Sequence, residues 1–100
     1  MFLVIGVDFV HGSLHVHYDL PCRLNQISTL SSLPGEPSSW HVAVEPRDEG
    51  NGVLRIHTVV KERGETVVEA TTLLPAGETA AITSGNDGGQ ATLTLAPSFR

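Results

Sequence analysis

The sequence predicts an all-β domain: an antiparallel β-sandwich or partly open barrel of six to seven short strands. Apolar and polar residues alternate with a period of two along most of the chain, which is typical of half-buried strands. Valine, threonine, isoleucine and leucine dominate the alternating stretches, and turn signals rich in glycine and proline separate them. The 100 residues are enough for one domain, residues 1–100, with a single thin core.

The strands are expected to follow one another through hairpin-like turns. Gly12-Ser13 joins the first two strands, residues 46–52 form a turn, and residues 85–90 form the last hairpin loop. The predicted strands span residues 2–10, 13–20, 40–45, 53–60, 66–74, 78–84 and 91–96. Their inward-facing residues form the expected core: Leu14, Val16, Tyr18, Trp40, Val42, Val44, Leu54, Ile56, Val68, Ile82, Leu93 and Leu95.

Residues 21–39 depart from this pattern because they contain many serines, three prolines and one glycine. Apolar side chains recur there at every third position, at Leu24, Ile27, Leu30 and Leu33. This spacing would place them on one side of a short helix that ends before Pro34, since the residue before a proline avoids the helical conformation. The alternative is an irregular, ordered loop whose leucines plug an open end of the sheet.

The strands at 53–60 and 66–74 are expected to form a hairpin with a three-residue turn over residues 62–64. In that register His57 lies opposite Glu69, and Val59 lies opposite Val67.

Apolar residues occur on both faces of this hairpin. The face opposite the expected core carries Val53, Val59, Val67 and Leu73 among charged residues. A hairpin with one solvated face would alternate more strictly. These four residues are therefore the expected partner-contact surface, covered either by the 21–39 segment or by another protein chain, including a second copy of this chain.

The composition excludes several classes of function. The net charge is −5 at pH 7 and the six lysine and arginine residues are scattered, whereas a nucleic-acid partner would require clustered positive charge. The apolar start of the chain is too short to span a bilayer and is interrupted by Asp8, so we expect no membrane insertion by this segment. The single cysteine, Cys22, is expected to be a small buried thiol near a strand end.

The chain carries no recognisable catalytic motif. It has no Gly-x-Ser-x-Gly elbow, no pair of carboxylates to which acid and base roles can be assigned, and no cofactor motif. We therefore predict no catalytic residues, no cofactor-binding residues and no enzymatic activity. A cleft that gathers histidine, serine and aspartate would instead indicate a small hydrolase-like enzyme.

The histidines offer a second type of site. His15 and His17 flank one residue of a strand, which places two imidazoles on one face, about 7 Å apart at their Cα atoms. The candidate metal ligands are His11, His15 and His17, with zinc or copper as the metal. In the simpler interpretation, His15 and His17 occupy the solvent face because the opposite face is apolar.

The segment that starts at Gly64 reads GETVVEATTLLPAGETAAITSG. It contains a strand, a proline turn, then glycine, alanine and isoleucine, and a glycine before the next strand. Over residues 64–96, about a third of the chain, this pattern resembles periplasmic β-modules of secretin-type and TonB-like bacterial envelope proteins. The longer signature segments of secretins are missing. The resemblance implies an exported bacterial module that acts through protein contacts.

We therefore expect a non-enzymatic envelope or accessory β-module that binds protein, including self-association into a homo-oligomer. The resemblance favours a periplasmic or cell-envelope location. The alternative function is a metal-binding module that uses the His-x-His strand.

Overall fold

The computed structural model of the chain describes residues 2–33, 39–86 and 89–100. These residues form eight β-strands and no helix, so the all-β prediction is confirmed with more strands than expected. The strands are β1 (Leu3–His11), β2 (Leu14–Cys22), β3 (Ser28–Ser31), β4 (Trp40–Gly50), β5 (Val53–Glu62), β6 (Glu65–Pro75), β7 (Ala80–Asn86) and β8 (Gly89–Phe99). In the described residues no helix is long and apolar enough to cross a membrane.

The strands assemble into two four-stranded antiparallel sheets. Sheet A has the order β2-β1-β8-β7, and sheet B has the order β3-β4-β5-β6. Strands that are consecutive in sequence are neighbours within each sheet, and the chain changes sheet after β2 and after β6. In the described residues no ladder joins β2 to β3 or β6 to β7, so the two sheets form a sandwich and not a closed barrel.

The core lies between the two sheets, where alternate residues of each strand face inward. β1 is flanked by β2 and β8, so its inward residues Ile5, Val7 and Phe9 are completely buried. The expected core omitted these three residues, although the strand itself was predicted. The other buried apolar residues of the core cluster come from both sheets: Leu3, Val16, Leu20, Cys22, Val42, Val44, Leu54, Ile56, Val60, Val68, Leu74, Ala91, Leu93 and Leu95.

Tyr18 was expected in the core, but it is 49% exposed. It lies on β2, an edge strand of sheet A, and the nearest strand of sheet B is β3, which has only four residues. The short β3 leaves part of the inner face of β2 open to solvent. Leu14, Trp40 and Ile82 are half-buried and pack against the core cluster.

The β5–β6 turn is shorter than predicted. Glu62 pairs with Glu65, which leaves Arg63 and Gly64 as a two-residue turn. Both turn residues have positive φ, 54° and 81°, which is the conformation that joins two twisted strands most tightly.

A bulge beside Val60 then shifts the pairing of the two strands. His57 and Val59 were predicted to face Glu69 and Val67, and these partners are wrong by two positions. Because side chains alternate with a period of two, a shift of two residues leaves the faces of the strand residues unchanged.

The described part of residues 21–39 contains no helix, so the helical alternative is wrong there and the segment is irregular apart from β3; residues 34–38 lie outside the described residues. Asn25 adopts a left-handed φ of 64°, and its N–H donates to the carbonyl of Pro46 at 2.7 Å. This turn interrupts the helical spacing of the apolar residues. Leu24 and Leu30 pack against the core, whereas Ile27 and Leu33 are exposed.

β4 continues through most of the turn that was predicted at residues 46–52. Pro46 pairs with Ile56 and is buried. The carbonyl of Pro46 points away from β5 and accepts a hydrogen bond from the N–H of Asn25. The nitrogen and the carbonyl of a strand residue point to the same side, so the nitrogen of Pro46 also points away from β5. This position lies beyond the end of β3, where no neighbouring strand requires an N–H donor. The chain turns only at Asn51-Gly52.

Thr58 is completely buried in β5, and its hydroxyl has no hydrogen-bond partner in the described structure. We expect Thr58→Val, which keeps the shape but removes the hydroxyl, to raise the free energy of unfolding by about 1 kcal/mol. Chemical denaturation measures the change, with Thr83→Val, at an exposed position of β7, as the control. A destabilised Thr58→Val protein would contradict the assignment.

Candidate functional site

The predicted contact residues lie on the β5–β6 hairpin, but they do not all share one surface. Val53 and Val59 are half-buried on the outer face of sheet B, and Leu73 is 61% exposed there. Val67 lies at the bulge and packs against the core cluster. Leu73 is therefore the main exposed apolar side chain of the four.

The described part of the 21–39 segment does not cover this outer face. β3 extends sheet B in its own plane by pairing with β4, at the edge opposite β6. The part of the chain that the structure describes therefore leaves the outer face of the β5–β6 hairpin uncovered.

A polar band crosses the outer face between Leu73 and Val59. Glu45, His57 and Thr71 form one cross-strand row, and Arg47 faces Arg55 in the next. These five residues line a shallow cavity of about 260 Å³. The band divides the apolar residues of the outer face into two patches.

Several weak ion pairs connect the polar band to its surroundings. Arg55 Nε lies 2.9 Å from Glu49 Oε1, and His57 Nε2 lies 3.4 Å from Glu69 Oε2. The side chains involved are one-third to three-fifths exposed, so solvent screens each pair, and each contributes at most about 1 kcal/mol. The predicted contact between His57 and Glu69 thus forms along a diagonal of the hairpin.

β6 is the outer strand of sheet B, and only one of its edges is paired. Just beyond the strands, Ala76 N donates to Gly52 O at 3.0 Å, so Gly52 and Ala76 form a hydrogen-bonded pair. Hydrogen-bonded and non-hydrogen-bonded pairs alternate along an antiparallel ladder. Every second residue therefore directs its N–H and C=O away from β5: Glu69, Thr71 and Leu73. In the described residues these groups have no backbone partner.

His15 and His17 lie on the outer face of sheet A, as predicted; His17 is directly opposite Asp8 of β1, and His15 is diagonal to it. The two imidazoles donate to the same carboxylate oxygen, His15 Nε2 at 2.7 Å and His17 Nδ1 at 3.2 Å from Asp8 Oδ1. The hydrogen bond from His15 is the main cause that lowers the pKa of Asp8 below its usual value. Asp8 thus holds both imidazoles on the surface of the sheet.

A cleft of about 280 Å³ adjoins this cluster on the outer face of sheet A. Gly6 and Ala96 contribute to it, and His17, Asp19 and Ser98 are among its polar lining. It contains the residue types that would indicate a hydrolase. In the described residues, however, no hydrogen bond joins an imidazole to Ser98, which a histidine-activated serine would require.

His11 lies on the opposite face of sheet A from His15 and His17. His11 pairs with Leu14 across a two-residue turn, so odd-numbered residues of β1 share a face with even-numbered residues of β2. The structure therefore does not bring the three predicted metal ligands together. No three histidine, cysteine, aspartate or glutamate side chains in the described residues form a group that could hold a metal ion.

His11 instead links the two sheets. Its Nδ1 lies 2.5 Å from Oε2 of Glu62 at the end of β5, and the two side chains are only 15% and 16% exposed. The His11 ring also packs against Phe9, with ring centroids 6.3 Å apart. This cross-sheet contact was not predicted, because no local sequence pattern relates residues 51 positions apart.

Cys22 is a free, buried thiol at the end of β2, as predicted. Its Sγ donates to the carbonyl of Leu20 at 3.3 Å, and burial raises its pKa. A thiol in this environment is a poor nucleophile.

Glu62→Ala is expected to lower the free energy of unfolding by about 1–3 kcal/mol, because it leaves the buried His11 Nδ1 without its partner. Glu65→Ala, at the exposed side of the same turn, serves as the control and is expected to change stability by less than about 0.5 kcal/mol. Chemical denaturation measures both variants. Equal effects would exclude a stabilising cross-sheet contact.

The lowered pKa of Asp8 predicts a loss of stability in acid. The unfolded state, with a pKa near 3.8, binds the proton more readily than the folded state. The contribution of Asp8 is therefore present above that value and is lost as the pH falls through the lower, folded-state pKa. Asp8→Asn is expected to reduce the acid-induced decrease in the free energy of unfolding by at most about 1 kcal/mol, since the cluster is solvent-exposed.

Urea denaturation of the wild-type and Asp8→Asn proteins across the acid range checks this effect. Asp19→Asn is the matched control, because Asp19 lies on the same face but accepts no hydrogen bond from an imidazole in the structure. A profile of Asp8→Asn parallel to that of the wild type would rule the contribution out.

Comparison of the chain with protein-family models, with curated proteins and with solved structures found no match.

Proposed function

We propose that the chain is a non-enzymatic β-module that acts through protein contacts, and that its contact surface is the outer face and free edge of the β5–β6 hairpin. The partner in this proposal is a second copy of the chain. The observation that carries the proposal is the exposed side chain of Leu73 on β6, an edge strand that pairs with β5 on one side only.

The free edge of β6 lacks most of the features that protect edge strands. Monomeric proteins commonly place lysine, proline or an inward charge on an exposed edge, or cover it. Residues 70–74 read Ala-Thr-Thr-Leu-Leu and carry no charge and no proline. Glu69 and the bulge protect only the half of the strand that is nearer the turn.

The surroundings of Leu73 support an interface. Val53 and Pro75 pair with each other beside it, so that an apolar patch forms at this end of the outer face. The polar band that includes Arg55 and His57 borders the patch. An apolar centre beside polar groups is the usual arrangement of a protein interface.

The proposal also includes the compartment. The resemblance of residues 64–96 to envelope β-modules supports an exported accessory protein, and these residues include β6, whose free edge forms the proposed contact surface.

Sedimentation equilibrium over a wide range of protein concentration tests the proposal. We expect the wild type to self-associate reversibly, and Leu73→Ser to weaken the association by at least about tenfold, since a central apolar contact typically contributes more than about 1.4 kcal/mol. Ile27→Ser is the control, because Ile27 is equally exposed but lies in the β2–β3 connection.

A wild-type protein that stays monomeric at the highest concentration would overturn self-association as the function of this surface. Equal weakening by Leu73→Ser and Ile27→Ser would overturn the assignment of the surface to β6.

A further inference from the structure

We infer that two copies of the chain join edge to edge, by antiparallel pairing of β6 with β6, with Thr71 opposite Thr71 of the second copy. The inference rests on the proposed function and deepens it, because it specifies the geometry by which the second copy binds. The two four-stranded B sheets would then form one continuous sheet.

β6 is the edge strand best suited to such pairing. It has 11 residues, whereas β3 has four and β7 has seven. The remaining edge strand, β2, has nine residues and contains Pro21, which has no N–H to donate, whereas the proline of β6, Pro75, is its last residue. β6 therefore offers the longest unpaired edge of the described strands.

The free backbone groups of β6 determine the register. Glu69, Thr71 and Leu73 direct their N–H and C=O toward the free edge. A two-fold axis at Thr71 pairs Thr71 with itself and Glu69 with Leu73 of the second copy, so each of these residues exchanges both hydrogen bonds with its partner. A register with Leu73 opposite Thr71 would place Pro75 opposite Glu69, whereas the register with Thr71 opposite itself places Pro75 opposite Val67, where the bulge already interrupts regular pairing.

Charge complementarity favours the same register. Leu73 pairs with Arg55 within one chain, so the side chain of Glu69 from the second copy would lie next to Leu73 and within reach of Arg55. Arg55 contacts Glu49 through Nε and its side chain is 51% exposed, so the guanidinium is accessible to a second carboxylate. The two-fold axis would form the contact between Arg55 and Glu69 twice.

The pairing also covers the exposed side chain of Leu73. Residues directly opposite on adjacent strands approach within about 5.5 Å, and diagonal neighbours within about 8 Å. Leu73 would therefore contact the aliphatic part of Glu69 and the methyl group of Thr71 from the second copy. Glu69 would not face Glu69, because the two lie four residues apart along the paired strands.

Cysteine cross-linking tests the register. In a Cys22→Ala background, Thr71→Cys places one thiol from each copy at the two-fold axis, where the Cα separation of about 5.5 Å suits a disulfide. Thr83→Cys is the control, because Thr83 is also exposed on an edge strand, β7 of sheet A. Under mild oxidation we expect Thr71→Cys to form covalent dimers at least about tenfold faster than Thr83→Cys. Equal rates would indicate random collision and overturn the inference.

A charge-swap cycle provides the second test. Arg55→Glu and Glu69→Arg are each expected to weaken self-association by about three- to tenfold, and the double variant is expected to restore it. Within one chain Arg55 pairs with Leu73 and Glu69 pairs with Val59, so the two charges are not in contact. Restoration therefore requires contact between copies.

The outcomes separate the two proposals. If the wild type does not associate at all, both the proposed function and this pairing are wrong. If the wild type associates through Leu73 but Thr71→Cys does not cross-link and the double variant does not recover, the contact is made by the outer face, and only the edge-to-edge pairing is wrong.

Discussion

The packing of the inner faces of the two sheets is the interaction on which the rest of the structure depends. In the described residues no backbone ladder connects the sheets, so buried side chains must hold them together. Ile5 and Phe9 on sheet A and Ile56 on sheet B are completely buried, and each such residue contributes about 1.5–3 kcal/mol. The contact between His11 and Glu62 adds one polar link across the sandwich.

An open sandwich leaves exposed strand edges that a closed barrel would not have. In this protein the edges differ in length and chemistry. β3 is short, and Pro21 interrupts the donors of β2, whereas β6 is long and largely uncharged beyond Glu69. The feature that most distinguishes the molecule is thus a backbone edge and not a cluster of reactive side chains.

The parts of the fold that could be predicted from sequence are those determined by local alternation. Val42, Val44, Leu93 and Leu95 face inward as expected, because the period of two places alternate residues on one face whatever the neighbouring strand is. The helical spacing at residues 21–39 was misleading, since the left-handed Asn25 and its hydrogen bond to Pro46 outweigh the spacing of apolar residues. Among the candidate site residues, His15 and His17 were placed correctly, whereas His11 was grouped with them although the predicted Gly12-Ser13 turn puts His11 opposite Leu14 and therefore on the other face.

The sequence by itself determined that this protein is all-β, either an antiparallel sandwich or a partly open barrel, and that Val53, Val59 and Leu73 lie on the outer face of a hairpin. Only the tertiary structure decided that β6 is an edge strand, that the β5–β6 pairing is shifted by a bulge, and that His11 contacts Glu62 in the other sheet. The physical reason is that alternation is a property of each strand alone. Strand order, register and cross-sheet contacts depend on how all the strands pack together around one core, and no local sequence pattern specifies that packing.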